Sequence, residues 1–186
     1  MAISQRRMTL DEFLKLPEEK PALEFEHGVV TQKVSPKARH SRLQGRLARL
    51  FDEFGEPIRL AAAFPELRTT FGGNSVVPDV AVFRWERIPR DQDGELLDDV
   101  FIPPDIAVEI RSPGQSLRGQ VNRCRWYVEN GVEIALLVDP DNRSVRLFRA
   151  DAEMRVLHGE DRIDLDSVLP GFELSVQQLF DALTLR

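Results

Sequence analysis

The stretch DIAVEIRSPGQSLRGQVNRCRWYVENGVEIALLVDP constrains the fold more than any other part of the chain. Two runs rich in β-type residues, DIAVEIRS and EIALLVDP, flank a segment with helical character that closes at Gly131. A strand, a helix and a second strand in that order predict a parallel crossover. The second run is almost wholly apolar, as a strand covered on both faces must be. RSVRLFRA follows across DPDN and reads as an antiparallel hairpin partner. The predicted class is therefore α/β in the α+β sense: a mixed sheet flanked by helices.

The remaining elements fit around that unit. In MTLDEFLKLPEE, Thr9 can cap a short helix, Glu12 completes a capping box and Pro17 stops it. LEFE and VVTQKV flank His27-Gly28, a hairpin turn. From Pro36 to Phe54, Leu43, Leu47, Leu50, Phe51 and Phe54 recur at helical spacing. The other side of this helix carries Arg42, Arg46 and Arg49, which is either a solvated face or a phosphate-facing ridge. PELRTTF and VVPDVAVFRW read as strands around the turn GGNS. ERIPRDQDGELLDDVFIPP has no period and reads as a surface loop. RIDLDSVLPGFELSVQQLFDAL gives a short strand, a Pro-Gly turn and a closing helix.

Composition limits the function classes. No apolar run is long enough to cross a bilayer, and the two arginines of MAISQRRMTLDEF have no apolar segment behind them to form a leader, so a cytoplasmic protein is expected. The single cysteine, Cys124, has no internal disulfide partner. His27, His40 and His158 match no common zinc spacing. A net charge of −6 argues against binding nucleic acid by bulk electrostatics, although a local basic patch remains compatible with it.

Two acids stand inside otherwise apolar runs: Asp79 in VVPDVAVFRW and Glu109 in PDIAVEIRSP. A carboxylate among valines and isoleucines is costly to desolvate unless a cation meets it. Alternation places Glu109 and Arg111 on one face of their strand, and Asp79 with Val77 and Ala81 on one face of the other. If the strands are neighbours, the two carboxylates converge within reach of one hard cation such as Mg²⁺ or Mn²⁺. The same spacing also permits a purely structural reading, with Glu109 paired to Arg111. Glu24 and Glu26 could mimic a two-carboxylate glycosidase site, but no aromatic sugar platform accompanies them. FGGNS lacks the pattern of a phosphate loop, and Trp126 with Tyr127 lies on the apolar side of its helix and reads as core.

Taken in order, MTLDEFLKLPEE, LEFEHGVV, SPKARHSRLQGRL, VVPDVAVF, PDIAVEIRSP, YVENGV and EIALLVDP resemble the Uma2 family of restriction endonuclease-like proteins, within the PD-(D/E)xK nuclease superfamily. The resemblance runs over nearly the whole chain. It implies one restriction-endonuclease-like domain over 1–186: an N-terminal helix and hairpin (1–35), a nuclease core (36–150) and a strand-helix extension (151–186). It also implies a metal site of Asp79, Glu109 and the main-chain carbonyl of Ile110, with Glu24 beside it and His40 touching substrate; Arg42 and Arg46 are candidate substrate contacts from the helix-face reading alone. The family commonly carries a lysine where this chain has Arg123, and an acid where it has Gly119. At the third position of the E-x-K pattern stands Arg111. The expectation is a metal-dependent endonuclease hydrolysing DNA, with Arg111 or Arg123 stabilising charge and a homodimer as its working form. The alternative is a nuclease-fold binding or regulatory protein that has lost turnover.

Overall fold

Thr9 opens the first element as its sequence predicts: the Glu12 N–H donates to its hydroxyl at 3.2 Å, and Glu12 Oε2 accepts the Thr9 N–H at 2.8 Å. This box caps α1 (Leu10–Phe13), which ends a turn earlier than Pro17 alone requires. The computed structural model describes residues 8–185; the opening 1–7, where no leader is expected, lie outside the described residues. β1 (Leu23–Glu26) and β2 (Val29–Gln32) form a hairpin through His27 and Gly28, both at positive φ. Then follow α2 (Ala38–Gly55), β3 (Ala61–Pro65), β4 (Thr69–Phe71), β5 (Asn74–Val76), β6 (Val80–Arg84) and β7 (Ile106–Ile110). The chain continues through α3 (Leu117–Glu129), β8 (Ile134–Asp139), β9 (Ser144–Arg149), β10 (Ala152–His158) and α4 (Val176–Asp181).

The strands make two sheets, one of four in the order β2-β1-β5-β4 and one of six in the order β10-β9-β8-β7-β6-β3. Every pairing is antiparallel except β7 with β8, joined by α3 as the predicted crossover. Alternation along the central strands divides the core. Ile106, Val108 and Ile110 of β7 and Ile134, Leu136 and Val138 of β8 pack with Leu43, Leu47 and Phe51 of α2 and Leu179 of α4. Ala107, Ala135 and Leu137 face Cys124, Tyr127 and Val128 of α3. The architecture is thus mixed α+β, with helices on both faces of the larger sheet.

Four features depart from expectation. PELRTTF and VVPDVAVFRW do not form one hairpin: β4 and β5 pair across Gly72-Gly73 in the small sheet, and the chain then crosses at Val77–Asp79 into the large one. β3 is built from AAAFP, whose alanines and proline are poor strand formers that neighbouring β6 nevertheless pairs residue for residue. β10 is an edge strand in which Leu157 is the one buried residue, so it carries little apolar period to read. The short strand expected in the tail is reduced to a bridge between Arg162 and Ser175.

Because Leu136 is completely buried at the centre of the parallel pair, Leu136→Ala should lower unfolding free energy by about 2–5 kcal/mol with an unchanged denaturant slope. Equilibrium unfolding in urea checks this, and a loss below about 1 kcal/mol would place that strand outside the core.

Candidate active site

Asp79 stands where the chain passes from the small sheet to the large one. β6 pairs with β7 so that Val80 lies against Val108, which brings Asp79 level with Glu109 at the strand ends. Each oxygen of the buried Asp79 carboxylate is engaged. Oδ2 accepts the Ile110 N–H at 2.7 Å; Oδ1 lies 2.7 Å from Lys33 Nζ and 3.3 Å from His40 Nε2. Lys33 Nζ also donates to the Val77 carbonyl at 2.8 Å. His40 is held at its other nitrogen, with Ser112 Oγ at 3.0 Å from Nδ1, and Gln44, one turn further along α2, donates to the Asp79 carbonyl. Burial alone pushes the Asp79 carboxyl up, but the His40 hydrogen bond and the Lys33 ammonium outweigh it and hold the group below the ordinary carboxylate range. Burial likewise works against the Lys33 ammonium, and the charges of Asp79 and Glu109 reverse that and raise its pKa.

Glu109 is met from α3. Its Oε1 accepts from Arg123 Nε at 2.8 Å and from the Tyr127 hydroxyl at 2.5 Å, which leaves Oε2 outside both bonds. Arg123 and Tyr127 are four residues apart and so share a face of the helix. The remaining donors of Arg123 reach the small sheet: Nη1 lies 3.1 Å from Glu24 Oε2 and 2.5 Å from Glu26 Oε1, and Nη2 donates to Glu24 Oε1. Glu24 Oε1 also accepts the Val77 N–H at 2.7 Å. For Glu109, burial raises the carboxyl; Arg123 opposes this, the charges of Asp79 and Glu24 add to it, and the balance stays above the usual range. Arg123 is driven further into its protonated form, because the surrounding glutamates outweigh the cost of its burial.

Glu24, Lys33, His40, Asp79, Glu109 and Arg123 line a cleft of about 160 Å³ that also includes Thr31, Gln115 and Gln120. Three buried carboxylates, Glu24, Asp79 and Glu109, face two permanent cations, Lys33 and Arg123, so the cluster carries excess negative charge. Among the described residues no three His, Cys, Asp or Glu side chains form a ready metal cage, because the cations stand between the carboxylates. Mg²⁺ does not need such a cage: one or two carboxylates with water suffice. The donors here are all oxygen. A strand residue's N–H and C=O leave the chain on the same side, so the Ile110 carbonyl faces the Asp79 side as its N–H does. This donor set fits a hard divalent ion.

Glu24, His40, Asp79, Glu109, Ile110 and Arg123 are therefore brought together. Three other predicted residues are not. Arg111 follows the last residue of β7 and its N–H still bonds to the Val138 carbonyl, but its guanidinium is taken by Asp139, the next residue of the β8 register, at 2.9 Å. Arg42 and Arg46 lie about 200° and 240° round α2 from His40. Arg42 Nε donates to the Ala182 carbonyl, and Arg46 Nε is buried without a hydrogen-bond partner among the described residues.

Sequence reasoning passed over Lys33 and treated Tyr127 as core only. Lys33 was accessible in principle: the hairpin register sets Thr31 opposite Glu24, so Lys33, two residues on, shares the face of Glu24. Nothing in the helix pattern distinguishes the Tyr127 hydroxyl from other buried polar tips. A second Pro-Asp pair, Pro104-Asp105, is structural. Buried Asp105 accepts the Arg84 N–H and pairs with the guanidinium groups of Arg84 and Arg87, far along β7 from the cleft.

A model of the Uma2 family, described as putative restriction endonuclease, matches residues 10–177. The chain belongs to the Uma2 family. A crystal structure of a putative nuclease belonging to DUF820 from Anabaena variabilis ATCC 29413 is similar over 95% of this chain and 99% of that one, with 38% sequence identity and a TM-score of 0.92. No curated protein matches the chain. Membership in Uma2 places the protein in a nuclease family, for which a nucleic acid is the expected substrate class. No described helix is long and apolar enough to cross a membrane.

Removing the Uma2 cleft's central cation should expose its acids. Arg123→Ala is expected to lower stability at about pH 7 by roughly 3 kcal/mol. The deficit should shrink toward about pH 5, because a carboxyl whose folded pKa is raised, as that of Glu109 is, favours the folded state below that pKa and opposes it above. Urea unfolding across that range checks it; a pH-independent deficit would assign Arg123 a packing role alone.

Proposed function

We propose that this Uma2 protein is a metal-dependent endonuclease that hydrolyses DNA phosphodiester bonds. One observation carries the reading: acids from three separate strand regions, Glu24, Asp79 and Glu109, converge on one cleft with an all-oxygen donor set and a charge deficit that a divalent cation would fill. Asp79, Glu109 and the Ile110 carbonyl would hold Mg²⁺ or Mn²⁺. A hard divalent ion bound there supplies Lewis-acid polarisation of the phosphoryl group and a more acidic attacking water. Hydrolysis adds that water across one P–O bond, leaving a phosphate monoester and a hydroxyl.

The chain's own residues then have defined parts. His40, with Ser112 behind it, and the Ile110 N–H fix the Asp79 carboxylate in one orientation. Arg123 and Tyr127 do the same for Glu109 Oε1, leaving Oε2 outside both bonds. Arg123 cannot give up its proton near neutral pH, so it acts as fixed charge and not as a proton shuttle. Glu24 sits beside these groups as a further ligand or as an acceptor that orients water. Cutting both strands of a duplex with one cleft per chain calls for two chains, and a homodimer is the proposed working form.

A second reading has its own observation. The guanidinium of Arg123 is already held by Glu24, Glu26 and Glu109, which take four of its five N–H donors before a phosphate arrives. A Uma2 protein of this kind could bind DNA and not turn it over. Plasmid nicking with Mg²⁺ or Mn²⁺ separates the two: the nuclease reading expects cleavage by the wild type and none by a folded Asp79→Asn variant. Equal cleavage by both would refute the assignment of Asp79, and binding without cleavage by the wild type would favour the second reading.

A further inference from the structure

The side chain that most directly opposes a divalent ion at Asp79 is Lys33. Its ammonium lies 2.7 Å from Asp79 Oδ1 and 2.8 Å from the Val77 carbonyl, which is the coordination a small cation would take there. A metal that takes Asp79 Oδ1 must displace one of its partners, because Lys33 and His40 already occupy that oxygen. The Ile110 N–H is fixed by the backbone of β7. His40 is buried and braced by Ser112. Lys33 alone is joined to the site by a flexible four-carbon stem, anchored just past the β2 hairpin by its N–H to the Ala22 carbonyl.

It also has somewhere to go. Lys33 lines both the 160 Å³ cleft and a neighbouring hollow of about 650 Å³, whose walls carry four acids, Glu18, Glu19, Glu66 and Asp98, against two other cations, Lys20 and Arg68. Swinging out of the cleft therefore moves the ammonium from one set of acids toward another. The charge balance favours the exchange: replacing one positive charge by two offsets more of the negative charge of Glu24, Glu26, Asp79 and Glu109.

We propose that Lys33 is the resident cation of this cleft and that it and a divalent metal ion exclude one another at Asp79. The proposal rests on the metal-dependent reading above and deepens it. Lys33 holds Asp79 oriented in the free protein, and it weakens metal binding by competing for the same oxygen.

Calorimetric titration of Mn²⁺ alone into the wild type, Lys33→Met and Lys33→Arg tests the exclusion without any knowledge of substrate. Lys33→Met should bind Mn²⁺ roughly tenfold more tightly than the wild type, since a like charge a few ångströms away has gone. Lys33→Arg, which keeps the charge, should stay near the wild type. Equal or weaker binding by Lys33→Met would overturn the proposal while leaving a metal site in place. No Mn²⁺ binding by any of the three would overturn the metal-dependent reading itself. Should Lys33→Met lose its cooperative melting, the wild type gives a second readout. Acylation of Lys33 by acetic anhydride, followed by mass spectrometry, should quicken when Mn²⁺ is added, and an unchanged rate contradicts the exchange.

Discussion

The hold of Arg123 on Glu24, Glu26 and Glu109 is the interaction on which the rest of the molecule depends. Glu24 and Glu26 belong to the small sheet, Glu109 to the large one, and Arg123 to the helix that connects the two parallel strands. One guanidinium thus ties three elements together, and it does so with the planar fork that suits several carboxylates at once. Buried acids of this kind destabilise a fold unless a charge and hydrogen bonds meet them. The clamp makes it possible to keep a cluster of carboxylates out of water while one oxygen of Glu109 stays outside its bonds.

Around this clamp the site divides into fixed and movable parts. Asp79 sits where the chain changes sheets, and it is bound by a backbone N–H and by a histidine that a serine braces. Tyr127 reinforces Arg123 on Glu109 from one helical turn away. Lys33 is the flexible member, tethered at the end of a hairpin whose register directs it at Asp79. A Uma2 cleft built this way keeps its acids oriented before any ligand arrives, which lowers the cost of assembling a charged site at the moment of binding.

Much of this was legible in the sequence. The parallel crossover followed from two apolar runs on either side of a capped helix, and the pairing of Asp79 with Glu109 followed from alternation once β6 and β7 were taken as neighbours. What failed did so for local reasons. Arg111 was assigned to the cleft by alternation, but the fully buried Asp139 beside it on β8 takes its guanidinium, a partner that the sequence of β7 alone does not reveal. Arg42 and Arg46 were read as a possible phosphate-facing ridge of α2, but the helix turns them away from His40 and the cleft. Lys33 was missed because an isolated lysine in VVTQKV looks like any solvated strand residue until the hairpin register is written out. β3 and β10 lacked apolar period, and only their partners define them.

Diffraction from crystals soaked in Mn²⁺, recorded for its anomalous signal, tests the central claim most directly. The account predicts one strong anomalous peak between the carboxylates of Asp79 and Glu109, beside the Ile110 carbonyl, with the Lys33 ammonium withdrawn from Asp79. Lys33 still seated on Asp79, with no peak between the two carboxylates, would contradict it and leave the acids as partners of lysine and arginine alone.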